Sequence, residues 1–237
     1  MMKKLILLVM LLMGTMLLGG CVMGGHAASG PMVSRSFDVG DFDSISIGGS
    51  REIIFRQSES SSVTIEMQES LFEILEVYVS SGTLHVYTQG AVTNAGRQRV
   101  YVYAPTLVAV TISGSATATD WDNIQTQSFQ LTASGSSRAT IHVDADDITV
   151  TASGSGRVEL SGRADTADIT TSGSRNVLAF DLQTQNADVR SSGSSRVEIS
   201  VSDSLDARSS GSSRVRYRGN PSITQSLSGS ASVGRDD

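Results

Sequence analysis

Between Val108 and Val233 apolar and polar residues alternate with period two, and the alternation breaks at the same tripeptide each time. Ser-Gly-Ser recurs with its glycine at Gly114, Gly135, Gly154, Gly173, Gly193, Gly211 and Gly229, in steps of 21, 19, 19, 20, 18 and 18 residues. Six residues before each glycine stand Val108, Phe129, Ile148, Ala167, Ala187, Leu205 and Ile223. Four before it stand Val110, Leu131, Val150, Ile169, Val189 and Ala207, with Gln225 in the last repeat. Four after it stand Ala139, Val158, Val177, Val197, Val215 and Val233, and six after it Ile141, Leu160, Ala179, Ile199 and Tyr217. The intervening positions carry Thr, Asp, Arg, Glu and Ser. Alternation on both sides of a glycine predicts strand, turn, strand.

A unit of about 19 residues cannot bury its own inner face, but a stack of such units can. The pattern therefore predicts an all-β solenoid, each coil pairing its backbone with the coils above and below. At the ~4.8 Å strand spacing, the repeats would build a rod of roughly 30 Å. The glycine marks a corner that needs positive φ or close backbone approach. A disordered Ser/Gly linker is the competing reading, and the regular Val and Ile positions argue against it.

Residues 36–106 are less regular. "FDSISIGGSREIIFRQ" alternates around a Gly-Gly-Ser turn and reads as an irregular first coil; "SSVTIEMQ", "GTLHVYTQ" and "RVYVYAP" read as strands. A short helix is expected from Glu69 to about Leu75. These elements are expected to cap the solenoid, since an open sheet edge invites pairing.

The N-terminus reads as a secretory signal over residues 1–20: the basic "MMKK", then an apolar run, then small residues. Leu18, Gly19, Gly20 and Cys21 resemble the lipobox of bacterial lipoproteins, and Cys21 is the single cysteine. That resemblance implies cleavage before Cys21 and a diacylglyceryl anchor on its sulfur, which would hold the protein at a membrane. The expected location is the bacterial cell envelope, and the outer membrane if the host is Gram-negative, because Val22 rather than Asp follows. Residues 21–35 read as a flexible tether. Beyond the signal there are 16 Arg, no Lys and 24 Asp and Glu, a formal charge of −8, which argues against nucleic acid as a partner.

The segments "FDVGDFDSISIGGSREIIF", "LFEILEVYVSSGTLHVYT", "VYVYAPTLVAVTISGSA", the serial Ser-Gly-Ser coils and the closing "VRYRGNPSITQSLSGSASV" are similar to the auto-transporter adhesin head GIN domain family (DUF2807). The resemblance spans residues 36–234, with 36–106 as irregular N-terminal coils and 107–234 as regular repeats. It implies a right-handed, single-stranded β-solenoid with about 18–21 residues per coil. It implies no catalytic residue; separately, no cofactor is expected.

Chemistry is sparse. A hydrolytic triad needs a nucleophile and an oriented base, yet His26 lies in the tether, and His85 and His142 fall on outward strand positions with nothing that joins them. Asp144, Asp146 and Asp147 could begin a calcium site, which takes six to eight oxygens; a solvated acidic turn is the blander reading. Arg138, Arg157, Arg196 and Arg214 stand three residues after their glycines, with Arg175 displaced by one. Stacked like charges repel. Either neighbouring carboxylates such as Glu159, Glu198, Asp168, Asp188 and Asp206 balance the column, or it forms an anion-binding stripe. The expected function is non-catalytic: structural, adhesive or binding to a protein or an acidic glycan. The alternative is a module that binds or cleaves envelope polysaccharide, with the Asp cluster and the Arg column as its site. Convergence of acids, Arg and a cleft would separate the two. A sensor acting through protein contacts is a third possibility.

Overall fold

The computed structural model describes residues 25–236; the expected signal and Cys21 lie outside them. The repeats are strands, and four of them are long: Arg138–Ala152, Arg157–Thr171, Asn176–Ser191 and Arg196–Ser209. Each runs along one face, bends without a break, and returns along the opposite face to the next Ser-Gly-Ser corner. Neighbouring coils pair in parallel, so Val158, Val177, Val197, Val215 and Val233 fall in one column. Ile148, Ala167, Ala187, Leu205 and Ile223 form another. These positions are buried along most of the stack, each large aliphatic contributing roughly 1.5–3 kcal/mol. The first repeat departs by one residue: Leu107 is buried and Val108 only half-buried.

The corner glycines need both features foreseen for them. Gly135 has φ +70°, and a Cβ there would lie 2.6 Å from the carbonyl oxygen of Gly114 in the coil beneath. That oxygen accepts the backbone N–H of Ser136 at 2.8 Å. The same bond repeats up the stack, for example from Ser174 to Gly154 at 2.9 Å and from Ser212 to Gly193 at 2.7 Å. The column starts earlier than the tripeptide count suggests, since Ser115 donates to Gly49 at 2.9 Å. The following residue turns inward. Ser195 and Ser213 are buried there, Ser195 accepting from Thr171 Oγ1 at 3.0 Å and Ser213 from Ser191 Oγ at 3.1 Å, with Ser191 also 2.7 Å from Ser209.

At the N-terminal end, spatial order leaves sequence order. The coil formed by Ser44–Ile47 and Arg51–Gln57 lies between Ala109–Ile112 with Thr117–Trp121 on one side and Thr83–Thr88 with Gln98–Ala104 on the other. The last pair is thus the first coil in space. Antiparallel strands close it off: Leu75–Ser80 on Thr83–Thr88, Ser62–Gln68 on Gln98–Ala104, and Met32–Phe37 outermost. The expected helix is a 3-10 turn, Glu69–Glu73. The segment expected as a tether is engaged earlier than residue 36, because His26–Ala27 pairs with Val92–Thr93 and Met32–Phe37 belongs to the sheet. The far end differs. Ser222–Leu227 is exposed throughout, with Ile223 and Leu227 uncovered.

Candidate functional site

Parallel register carries the Arg column straight up one face: Thr117, Arg138, Arg157, Asn176, Arg196, Arg214 and Ser232 are successive partners. The four predicted arginines are thus brought into line, with Asn176 as the interruption. Arg175, which looked like a displaced member, faces the opposite way. It is fully buried at the corner, its Nη1 donating to the carbonyls of Ser153 (3.1 Å) and Gly135 (3.3 Å) and its Nη2 to Ser137 Oγ (2.9 Å). Gly156 supplies the room: a Cβ there would meet Arg175 Nη1 at 2.6 Å. Burial lowers the pKa of this guanidinium.

Charge balance along the column is uneven. Arg157 pairs with Glu159 at 3.1 Å, and Arg196 pairs with Glu198. Among the described residues no carboxylate lies within ion-pair distance of Arg138 or Arg214. On the opposite face Asp168, Asp188 and Asp206 stack in register. There Asp188 takes Arg190 at 2.8 Å and Arg208 at 3.1 Å, and Arg208 also reaches Asp206. An open groove of about 490 Å³ runs beside these three aspartates, lined by Thr, Asn, Ser and Ala with Leu205.

The Arg face carries a local break. Between Glu159 and Ser161, Leu160 stands against both Ala179 and Phe180, and on the other side Phe180–Leu182 find no partner in Arg196–Ser209. This bulge follows from the coil's length, 20 residues between Gly173 and Gly193 against 19 and 18 for its neighbours. Bulges bend a strand and re-aim its side chains. Leu182 returns to the core, while Phe180 stays outside, with the Arg218 guanidinium 4.0 Å from its ring centre. Hydrogen bonds fasten the bulge: Ser200 Oγ donates to the Phe180 carbonyl (2.6 Å), and Thr184 Oγ1 to the Ser200 carbonyl (2.8 Å). Beside it opens a hollow of about 330 Å³ lined by Thr140, Glu159, Leu160, Ser161, Leu178, Phe180, Asp181, Glu198 and Arg218. Nothing in the sequence patterning singled out Phe180; the longer repeat step was the available signal.

The catalytic and metal readings fare differently from the column. His142 Nδ1 is 3.0 Å from Ser161 Oγ, but its Nε2 is 3.9 Å from Asp144, beyond hydrogen-bond reach, and the ring is 40 % exposed. This is an adjacency of register partners, and among the described residues no group orients the base. Asp144, Asp146 and Asp147 do not converge. Asp144 and Asp147 flank a bend, Asp147 is held by Thr166, and among the described residues no three acidic, His or Cys side chains are placed to share an ion. This arrangement suits the solvated acidic turn, the blander of the two readings, better than a calcium site. His85 stacks on Tyr78 at 4.9 Å on the capping hairpin. Trp121 packs 5.7 Å from Phe55 and donates to the Ile53 carbonyl at 2.8 Å, so it serves the solenoid shoulder.

Fold and surface together define a parallel β-solenoid with a capped N-terminal end and charged outer columns. The chain belongs to the family described as "Putative auto-transporter adhesin, head GIN domain" (DUF2807), whose model matches residues 41–221. Its structure is similar to that of a putative adhesin from Bacteroides fragilis, at 23% identity and a TM-score of 0.81, covering 89% of this chain and 99% of the other. It is also similar to a putative lipid binding protein from Parabacteroides distasonis (20% identity, TM-score 0.73, 89% and 99% covered). A putative adhesin from Parabacteroides merdae is similar again (19% identity, TM-score 0.72, 89% and 98% covered). At these identities the likeness is one of fold. No curated protein matches the chain.

Proposed function

We propose that the protein is a non-catalytic, adhesin-like rod of the bacterial cell envelope, anchored through lipid on Cys21, that presents its Arg face to acidic envelope material. The observation that carries this reading is the straight column of Arg138, Arg157, Arg196 and Arg214, of which the first and last lack a carboxylate partner among the described residues. A guanidinium held at coil spacing on a stiff sheet is prepared for sulfate, phosphate or carboxylate groups. The family's adhesin description is consistent with it, as are the adhesin and lipid-binding names of the structural neighbours.

Two measurements test it. Residues 25–237 are applied to arrays of acidic envelope glycans and lipopolysaccharide at low and moderate salt. Salt-sensitive binding is expected, falling tenfold or more in an Arg138→Ala/Arg214→Ala double variant and less in Arg157→Ala/Arg196→Ala, whose arginines are already paired. Absence of binding to every acidic ligand would reduce the column to internal charge balance. In cells, Cys21→Ser is expected to move the protein from the membrane fraction to the soluble one; retention at the membrane would remove the lipid anchor.

A further inference from the structure

We infer that the hollow beside Phe180 is a saccharide subsite, taking one uncharged pyranose of an envelope glycan. The inference deepens the adhesin-like reading and rests on it. A pyranose has an apolar C–H face and a rim of hydroxyls, so its site needs an apolar wall, fixed acceptors and a donor. The hollow supplies each. Leu178 and Phe180 supply the apolar lining, the Phe180 ring through the part that Arg218 leaves uncovered. Glu159 and Glu198 are acceptors, each held by the arginine two residues before it on the same strand, Glu159 by Arg157 at 3.1 Å and Glu198 by Arg196. Each carboxylate keeps lone pairs for hydroxyl donors after those bonds. Arg218 lies across the Phe180 ring and is itself fixed by Asp236 at 3.1 Å.

The charges favour a neutral ligand. Glu159 is matched by Arg157 and Glu198 by Arg196, while Asp236 is shared between Arg218 and Arg216, the register partner of Glu198, so the spare positive charge there offsets Asp181 at the rim. An amine would gain little over a polyol in such a balanced setting. The groove on the opposite face is larger, about 490 Å³, but it has no aromatic side chain to meet a C–H face. The hollow's 330 Å³ falls at the lower end of the roughly 300–1,000 Å³ that holds small ligands. The wall is also local. Phe180 stands outside because of the bulge, so the site arises where the otherwise repetitive face is broken.

The test uses residues 25–237 with ¹⁵N labelling, titrated with methyl glucoside, methyl galactoside and N-acetylglucosamine, and with cyclohexylamine as a cationic ring control. Saturable shifts confined to residues around 140, 160, 180 and 198 are expected for at least one sugar and absent for the amine. Phe180→Ala is expected to weaken that binding tenfold or more, and Glu198→Gln severalfold, while Arg190→Ala, on an exposed side chain away from both the hollow and the Arg column, leaves it unchanged. Phe180 and Arg218 both lie outside the core, so Phe180→Ala should fold; an unchanged amide spectrum elsewhere checks this. No saturable shift with any of the sugars overturns the inference, as does undiminished binding in Phe180→Ala or binding of the amine alone. If acidic glycans still bind and respond to Arg138→Ala/Arg214→Ala while the three sugars do not bind, the adhesin-like reading stands and the saccharide subsite falls.

Discussion

The guanidinium of Arg51 is 2% exposed at the foot of the corner column, where it donates to the Gly48 carbonyl and its Nε has no partner among the described residues. Burial pushes its pKa down to about 10, well below the usual guanidinium range. The sign follows from proton counts. Below pH 10 the side chain is charged in both folded and unfolded chains, so its burial costs a constant ~3 kcal/mol. As pH rises above 10 the folded state loses the proton first, the unfolded state binds more protons, and this penalty is relieved. Near neutrality the cost is therefore present and independent of pH. Arg51→Met removes it and gives up one hydrogen bond, so a net gain of about 1–2 kcal/mol is expected, a rise of a few degrees in melting temperature. Arg175→Met has the opposite expectation. That side chain satisfies two carbonyls and Ser137 Oγ, and losing those bonds beside Gly156 should cost about 1–2 kcal/mol. Thermal melts at pH 7 check both. A fall for Arg51→Met would mean that water or an ion inside the corner already compensates its charge.

At the scale of the element, the corner is the unit that sets the coil. Gly154 has φ +88°, and a Cβ there would run into the Gly135 carbonyl oxygen, which is already engaged by the N–H of Ser155. Gly154→Val combines a left-handed β-branched residue with a clash against backbone, and a loss of roughly 3 kcal/mol or more is expected. Gly234→Ala is the matched control, since nothing lies within 4 Å of its Cβ position and its φ is ordinary; it should stay within about 0.5 kcal/mol of wild type. Denaturant melts decide whether the corner or glycine content in general carries the effect. These corners, and the Val and Ile columns beside them, were legible in the sequence because stacked coils repeat one local problem at one period. The placement of Thr83–Ala104 beneath Ser44–Gln57 was not legible, because period-two patterning says which face is buried and not which strand is the neighbour. The second bend, as at Asp144–Asp147, was hidden because the strand passes through it unbroken. Arg175 was misread because a charged residue at a corner is ordinarily solvated, and only the paired Gly156 makes room for it inside. The Arg column was read correctly as a line, but its partners depend on rotamers that spacing does not encode.

For the whole molecule, the two ends differ, and stability should differ with them. A solenoid's stability is close to a sum of coil terms and nearest-neighbour interface terms, so a terminal coil with a neighbour on one side opens more readily than an interior one. At the N-terminal end the antiparallel strands Leu75–Ser80, Ser62–Gln68 and Met32–Phe37 cover the first coil, and Ile65, Met67 and Leu71 are buried there. At the other end Ser222–Leu227 and Ser232–Arg235 each pair with one coil among the described strands, and Gln225 stands where an interior aliphatic stands elsewhere. Amide exchange is therefore expected to be polarised. Ser222–Leu227 and Ser232–Arg235 should exchange first, Arg196–Ser209 next, and the Ile45, Ile53, Val100 and Val110 region last. Gly154→Val should sharpen the gradient. Coils beyond residue 157 lose their anchored neighbour and should lose protection together, while residues 44–133 keep theirs through the cap. Exchange monitored by mass spectrometry reads this directly. Uniform loss of protection from both ends in that variant would show that the stack unfolds as one cooperative block, and that the antiparallel cap closes an edge without adding stability to the coils above it.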